Sequence, residues 1–337
     1  MNVLGIETSC DECSAAVVKD GSEILSNVIA TQIELHRPFD GVVPELASRL
    51  HTEWISQVVN AAILQANISK KDIDAIAVTC KPGLLGSLLV GVNFAKGLAQ
   101  TLDVPFVGID HIRAHLYAPQ IEHPLKYPYL GVLLSGGHTV ICRVDSYDSI
   151  EVLGTTVDDA IGEAFDKVAK HYGLGYPGGV MIDRLAQKGD DLAFRFPGSN
   201  LKETYHPYDI SYSGLKTAVI NQLELFSTGK EASAENIAAS FQRVAVGMLM
   251  KRVDRALTDT GLKRISAGGG VAANSLVRSS LKAYEDKGFE VSFPSLKLCT
   301  DNGAMVAGLG YRYISDGITS SCNLDASSRV AAFKKTV

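Results

Sequence analysis

Short apolar runs ending in small or hydroxyl residues alternate along this chain with longer segments of helical period. Val3-Leu-Gly-Ile-Glu-Thr-Ser9 predicts a strand, and residues 14–19 a second strand beyond a polar, acidic turn. Residues 130–135 and 139–144 predict another such pair, joined through Gly136-Gly137-His138. Residues 73–80 and 264–267 are further apolar strands. Each enters a glycine-bearing turn (81–86 or 268–270) and then a helical segment (87–102 or 271–287). Helical periods also cover 45–67, 160–172, 180–188 and 234–260, while 197–213 has no period and reads as a surface loop.

The first strand of each pair carries the same signature. Leu4-Gly5-Ile6-x-x-Ser9 and Leu130-Gly131-Val132-x-x-Ser135 repeat one pattern, each leading into another apolar strand. A repeat at that distance is a duplicated domain rather than a solenoid unit. Strands alternating with helices predict an α/β architecture with ligands at the strand C-termini. The expectation is two similar lobes with the ligand between them.

Composition narrows the classes. The chain has 337 residues, 46% of them apolar, which suits about two domains with real cores. With 32 basic and 37 acidic residues the net charge is −5, so bulk positive charge cannot be the means of meeting a nucleic acid. The long uncharged run 127–142 is broken by Ser135-Gly136-Gly137-His138, and a membrane span needs about 20 apolar residues. Glu7, Asp11 and Glu12 sit where a signal peptide would be apolar. Six scattered cysteines fit a reducing cytoplasm, and Cys10-x-x-Cys13 reads as two reduced thiols.

His111-Ile-Arg-Ala-His115 puts two imidazoles on one face of a helix, able to hold one metal ion. A metalloendopeptidase of this pattern needs a Glu directly after the first His, and Ile112 stands there. A third ligand must come from elsewhere, and Asp301 is the candidate, at an expected strand-to-helix corner. Leu133, Leu134, Ser135, Gly136 and Gly137 form a strand running into a turn whose N–H groups suit a phosphate. Gly268-Gly-Gly clears a flat space beside Asn274, whose amide suits a base or ribose edge. Asp159, Glu163 and Asp166 fall at helical spacing on one face; Asp166 suits ribose hydroxyls, and Gly179 and Asp183 continue that region. Asp11 and Glu12, at the first turn, are candidate proton acceptors.

Taken together, Gly5-Ile-Glu-Thr-Ser-Cys-Asp-Glu12, Gly41-Val-Val-Pro-Glu-Leu-Ala-Ser-Arg49, His111-x-x-x-His115, Ser135-Gly-Gly-His-Thr139, Gly162-Glu-Ala-Phe-Asp-Lys167, Tyr176-Pro-Gly-Gly179, Ser211-Tyr-Ser-Gly-Leu-Lys-Thr217, Gly268-Gly-Gly-Val-x-x-Asn274 and Cys299-Thr-Asp-Asn-Gly-Ala-Met305 resemble the bacterial TsaD (YgjD/Gcp) family. The resemblance runs in order from about residue 3 to 306. It implies the duplicated actin, sugar-kinase and heat-shock-chaperone (ASKHA) fold. The first lobe would then span 1–110, completed by about 303–325, and the second 111–302.

The implied activity is transfer of the threonylcarbamoyl group of L-threonylcarbamoyladenylate to N6 of the adenosine adjacent to the anticodon, in tRNAs reading ANN codons, with release of AMP. His111, His115 and Asp301 would hold one divalent metal, iron or zinc. Leu133 to Gly137, Asp166, Gly179, Asp183 and Asn274 would hold the adenylate, and Asp11 or Glu12 would take the proton. A smaller paralogue (TsaB) and an ATPase (TsaE) are the implied partners, in the cytoplasm. On an acidic chain the tRNA needs a local patch, for which Lys251, Arg252 and Arg255, or Lys263 and Arg264, are candidates. A metalloendopeptidase, a kinase of the same fold and a nonenzymatic subunit are the competing classes.

Overall fold

The computed structural model describes residues 1–198, 201 and 207–329, so part of the aperiodic stretch 197–213 lies outside the described residues. In chain order the strands are β1 (Asn2–Glu7), β2 (Glu12–Lys19), β3 (Glu23–Thr31), β4 (Ala75–Lys81), β5 (Phe106–Asp110), β6 (Tyr129–Leu134), β7 (Thr139–Val144), β8 (Ile150–Thr155), β9 (Arg264–Gly268) and β10 (Glu290–Ser292). The helices are α1 (Ile33–His36), α2 (Pro44–Gln65), α3 (Leu85–Leu102), α4 (His111–Glu122), α5 (Ile161–His171), α6 (Gly178–Ala186), α7 (Ser213–Asn221), α8 (Ala234–Thr260), α9 (Ser275–Lys282), α10 (Leu296–Cys299) and α11 (Gly303–Ser315).

The chain divides into two compact units, Met1–Pro124 with the segment from Pro294 onward, and Leu125–Phe293. The expected breaks after residues 110 and 302 therefore move to 124 and 293. The reason is local: α4 packs on α11, and the Ser295 N–H donates to Glu122 at the end of α4, at 2.6 Å.

Each unit is built on a five-stranded mixed sheet, ordered β3-β2-β1-β4-β5 in the first and β10-β9-β6-β7-β8 in the second. β1 runs antiparallel to β2 and parallel to β4, and β6 runs antiparallel to β7 and parallel to β9. The outer strands β5 and β10 continue each parallel half. One topology is thus used twice, and the Leu4-Gly-Ile and Leu130-Gly-Val signatures mark the same central strand of each copy.

In the first unit, side-chain alternation along β1 serves two faces. Leu4 and Ile6 enter a core with Ile55 and Val59 of α2 and Val92 and Ala95 of α3. Each such large side chain contributes about 1.5–3 kcal/mol by leaving water. Gly5 points the other way, where a Cβ would lie 2.2 Å from the Gly303 carbonyl oxygen at the start of α11. A Cβ on Gly310 would likewise run into the Ala77 side chain of β4. The small residues of α11 therefore bring its first turn directly onto β1.

In the second unit the expected helix over 271–287 is broken into pieces. A 3-10 turn covers Gly270–Ala273, α9 follows, and a second 3-10 turn covers Glu285–Lys287. Asn274 is the interruption: its backbone is extended (ψ 134°), and its Oδ1 accepts the N–H groups of Leu276 and Val277, which makes it the cap of α9.

Candidate active site

Strand β5 passes into α4 without a loop, so His111 and His115 open that helix one turn apart. Asp110 caps it, its Oδ1 accepting the N–H groups of Ile112 and Arg113 at 2.9 and 3.2 Å. Asp301 is fixed from the other side. Asn302 caps α11 through Met305 N–H at 3.0 Å, and its amide donates to the carbonyls of Leu298 and Thr300. The Gly303 N–H donates to Ser14 Oγ at 2.8 Å. The residues before Asp301 form the short helix α10, so the expected strand-to-helix corner is instead a helix-to-helix corner.

These constraints bring the three predicted ligands together. Asp301 Oδ1 lies 3.0 Å from His115 Nε2 and 3.6 Å from His111 Nε2, and all three ligand atoms lie within 4.8 Å of one another. Bonds of about 2.0–2.2 Å to one ion place neighbouring donors roughly 3–3.5 Å apart, so the two Asp301 separations suit a shared ion and the widest pair would close slightly around it. Two imidazole nitrogens and a carboxylate suit a first-row divalent metal.

Two residues that sequence reasoning did not assign, Glu7 and Ser9, lie against His111, and a third, Thr79, holds Glu7. Glu7, at the end of β1, is fully buried. Its Oε2 stands 3.1 Å from His111 Nδ1 and accepts the Thr79 hydroxyl at 2.5 Å, while Oε1 accepts the Ser9 N–H at 2.6 Å. Ser9 Oγ also lies 3.1 Å from His111 Nδ1. Burial opposes a charge on His111, yet the Asp301 and Glu7 carboxylates outweigh it and push the imidazole up to about 9. Burial likewise opposes a charge on Glu7, and His111 outweighs it, holding that carboxyl below its usual range. The available signal was a carboxylate ending an otherwise apolar strand.

The turn between β1 and β2 carries Asp11 and Glu12. The Gln32 N–H donates to the Asp11 carbonyl at 3.0 Å, and His51 Nε2 lies 2.9 Å from the Cys10 carbonyl oxygen. Burial, then the Asp301 and Asp11 carboxylates, push the Glu12 carboxyl well above the usual carboxylate range. Burial pushes the Cys13 thiol up to about 12, and burial together with the Asp11 carboxylate raises Cys10.

In the second unit, several glycine turns converge at the C-terminal ends of β6 and β9. Leu133 pairs with Gly268, and a Cβ on Gly269 would lie 2.4 Å from the Leu134 carbonyl oxygen. Gly269 has φ +90°, a conformation that a side chain would strain. The Ser135 N–H is already given to the His138 carbonyl at 2.8 Å, and the His138 N–H returns to Ser135 Oγ at 3.1 Å. A Cβ on Gly136 or Gly137 would meet nothing within 4 Å, so no side chain or backbone covers that side of the turn.

The polar candidates around these turns are tied into the unit. Asp166 Oδ1 accepts the N–H groups of Gly178 and Gly179 at 2.8 and 3.3 Å, clamping the start of α6. Asp183 accepts both the N–H and the hydroxyl of Ser275, at 3.1 and 2.6 Å. The Asn274 amide donates to Gln242 Oε1 at 2.8 Å. Carboxylate oxygens keep further lone pairs, so Asp166 and Asp183 can still accept from a ligand. The expected acidic face of α5 is not a free one: Lys167 pairs with Asp159 and Glu163 at 2.6 and 2.8 Å, and Lys216 pairs with Asp159 at 2.6 Å.

The comparisons with known proteins bear on this arrangement. A family model for tRNA N6-adenosine threonylcarbamoyltransferase, TsaD, matches residues 23–308. The chain belongs to this family. A relative of that name from Treponema denticola is 56% identical over 336 residues, spanning 99% of both chains. One from Borrelia hermsii is 52% identical over 100% of this chain and 98% of the relative. Membership makes the chain a transferase of tRNA modification, in a family for which metal dependence is typical.

Solved structures agree on the fold. HypF of T. kodakarensis superposes on 94% of this chain and 48% of its own, with TM-score 0.64 at 17% identity. Component A of the (R)-2-hydroxyglutaryl-CoA dehydratase of Acidaminococcus fermentans covers 94% and 99%, with TM-score 0.58 at 16% identity. This is the ASKHA architecture, and at such identity it speaks for the fold alone.

Among the described residues no helix is long and apolar enough to cross a membrane. One expected tRNA contact is corrected. Arg252 is buried and its Nε donates to the Asp209 carbonyl at 2.9 Å, so it faces the interior of the unit. Arg255 pairs with Asp259 at 2.5 Å and Arg264 with Glu290 at 3.2 Å.

Proposed function

We propose that the chain takes the threonylcarbamoyl group from L-threonylcarbamoyladenylate to N6 of the adenosine adjacent to the anticodon, in tRNAs reading ANN codons, and releases AMP. The observation that carries this reading is the convergence of His111, His115 and Asp301 in a member of the threonylcarbamoyltransferase family. These three residues would hold a divalent ion, iron in the first place and zinc in the second, which supplies Lewis-acid polarisation of the carbamoyl carbonyl.

The chain's own groups do the rest. The open turn at Gly136 and Gly137 takes the phosphate that leaves with AMP, and its fixed N–H dipoles stabilise charge growing on the leaving oxygen. Leu133, Leu134 and Ser135 set the position of that turn. Asp166 and Asp183 accept from the ribose hydroxyls, Gly179 lets the sugar approach the backbone, and Asn274 lies at the nucleoside edge. The exocyclic amine is a weak nucleophile and must lose a proton to Asp11 or Glu12.

A TsaB-like paralogue and a TsaE-like ATPase are the proposed partners, in the cytoplasm. A peptidase reading has no support at position 112, where a buried Ile stands in place of the water-activating Glu. Nucleoside analysis of tRNA from cells depleted of the protein tests the proposal. The threonylcarbamoyl-adenosine peak should fall away, and a peak that persists undiminished overturns the reading.

A further inference from the structure

We propose that Glu7 is the positioning residue of the metal centre: its carboxylate fixes the proton of His111 on Nδ1 and thereby turns the Nε2 lone pair toward Asp301 and His115. The inference rests on the metal reading above and adds to it a residue outside the ligand set.

The hydrogen bonds determine the tautomer. Glu7 is fully buried, and three groups converge on it from different parts of the chain: the Ser9 N–H on Oε1, and the Thr79 hydroxyl and His111 Nδ1 on Oε2. An ionised carboxylate only accepts, so a ring nitrogen 3.1 Å from it must carry the hydrogen. A metal ion would take the place of the proton on Nε2, the nitrogen 3.6 Å from Asp301 Oδ1, while Nδ1 keeps its hydrogen on Glu7. A ligating imidazole is commonly held in this way, its second N–H given to a carboxylate that fixes the ring and raises its basicity.

The two histidines differ in this respect. Nδ1 of His115 is buried and has no hydrogen-bond partner, so that ring is held by its helix and by Asp301. His111 alone is gripped from behind. The isosteric change Glu7→Gln therefore has a specific consequence. The Ser9 N–H is an obligate donor and claims the new amide oxygen. The amide NH₂ is then left facing Thr79 and His111, a donor where the carboxylate accepted. The His111 Nδ1 hydrogen then loses its charged acceptor and is left with the neutral Ser9 Oγ at 3.1 Å, so the form with a free Nε2 lone pair is disfavoured relative to wild type.

The test uses the full-length chain with Zn²⁺ as probe. Competition against a chromophoric chelator gives the affinity of wild type and of Glu7→Gln, with circular dichroism as the control for folding. ¹⁵N spectra of histidine-labelled, zinc-loaded wild type show which nitrogen of His111 is metallated. The expected result is an affinity weakened by about 10–100-fold in the folded Gln variant, and a wild-type His111 with Nδ1–H and metal on Nε2. A folded Gln variant that binds as tightly as wild type, or metal on Nδ1 in wild type, overturns the inference while the metal reading stands. Wild type that binds no Zn²⁺ removes both. Should Glu7→Gln fail to fold, the wild-type spectrum decides alone.

Discussion

A Cβ atom on Gly162 would lie 2.7 Å from the Ser135 carbonyl oxygen and 2.8 Å from the Gly136 Cα. The first turn of α5 therefore lies directly against the turn proposed to take the phosphate. The Ile161 N–H reinforces the contact by donating to Thr139 Oγ1 at 2.9 Å. Both obstructing atoms belong to the backbone, so Gly162→Ala has to displace the turn itself, a strain of about 1–3 kcal/mol. The expected outcome is AMP binding weakened at least about tenfold by calorimetry, with an unchanged far-ultraviolet spectrum. Wild-type AMP affinity in a folded Gly162→Ala protein would remove the phosphate from this turn.

Asp301→Asn probes the metal group without changing its size. The amide retains one oxygen near His111 and His115 but loses the negative charge that Asp301 brings to a cation held there. Metal content after loading and desalting should drop from one equivalent toward none, and transfer activity should go with it, while circular dichroism stays as in wild type. Full metal occupancy in this variant would exclude Asp301 as a ligand.

What the sequence disclosed and what it hid divide along one physical line, the reach of an interaction along the chain. His111 and His115 were legible because four residues on a helix make one face, and the duplication because β1 and β6 carry the same apolar-glycine-apolar core. Glu7 was hidden because two of its partners, Thr79 and His111, come from other strands and helices. The break at Asn274 was hidden because the apolar period continues through it, and only its backbone conformation shows a cap. Asp159 read as one of a row of carboxylates until Lys216, from a distant helix, was placed against it.

That lysine pair gives a pH prediction. Burial works to raise the Asp159 carboxyl, but Lys167 and Lys216 outweigh it and hold it below its usual range. A carboxyl depressed in the folded state contributes stability that is present above its unfolded value, near about 3.9, and is lost as pH falls through the lower folded value. Asp159→Asn should therefore destabilise most at neutral pH, on the order of 1 kcal/mol for a solvent-screened group. The gap to wild type in urea unfolding should close below about pH 4. A gap that stays constant from neutral to acid pH would show that the lysines do not act through this charge.

Arg252 and Lys251 are neighbours on α8 with opposite prospects in tRNA binding. Arg252 is buried with its Nε on the Asp209 carbonyl, whereas Lys251 is exposed. Arg252→Met removes this buried donor to the Asp209 carbonyl, a loss of about 1–3 kcal/mol that a denaturant titration detects. It removes no charge that a phosphate can reach, so the slope of log affinity for tRNA against log salt should not change. Lys251→Ala should leave stability within about 0.5 kcal/mol and reduce that slope by about 1 if the exposed side of α8 meets the RNA backbone. Filter binding over a salt series separates the two. A reduced slope in Arg252→Met with stability intact would mean that this guanidinium reaches the RNA, against its burial.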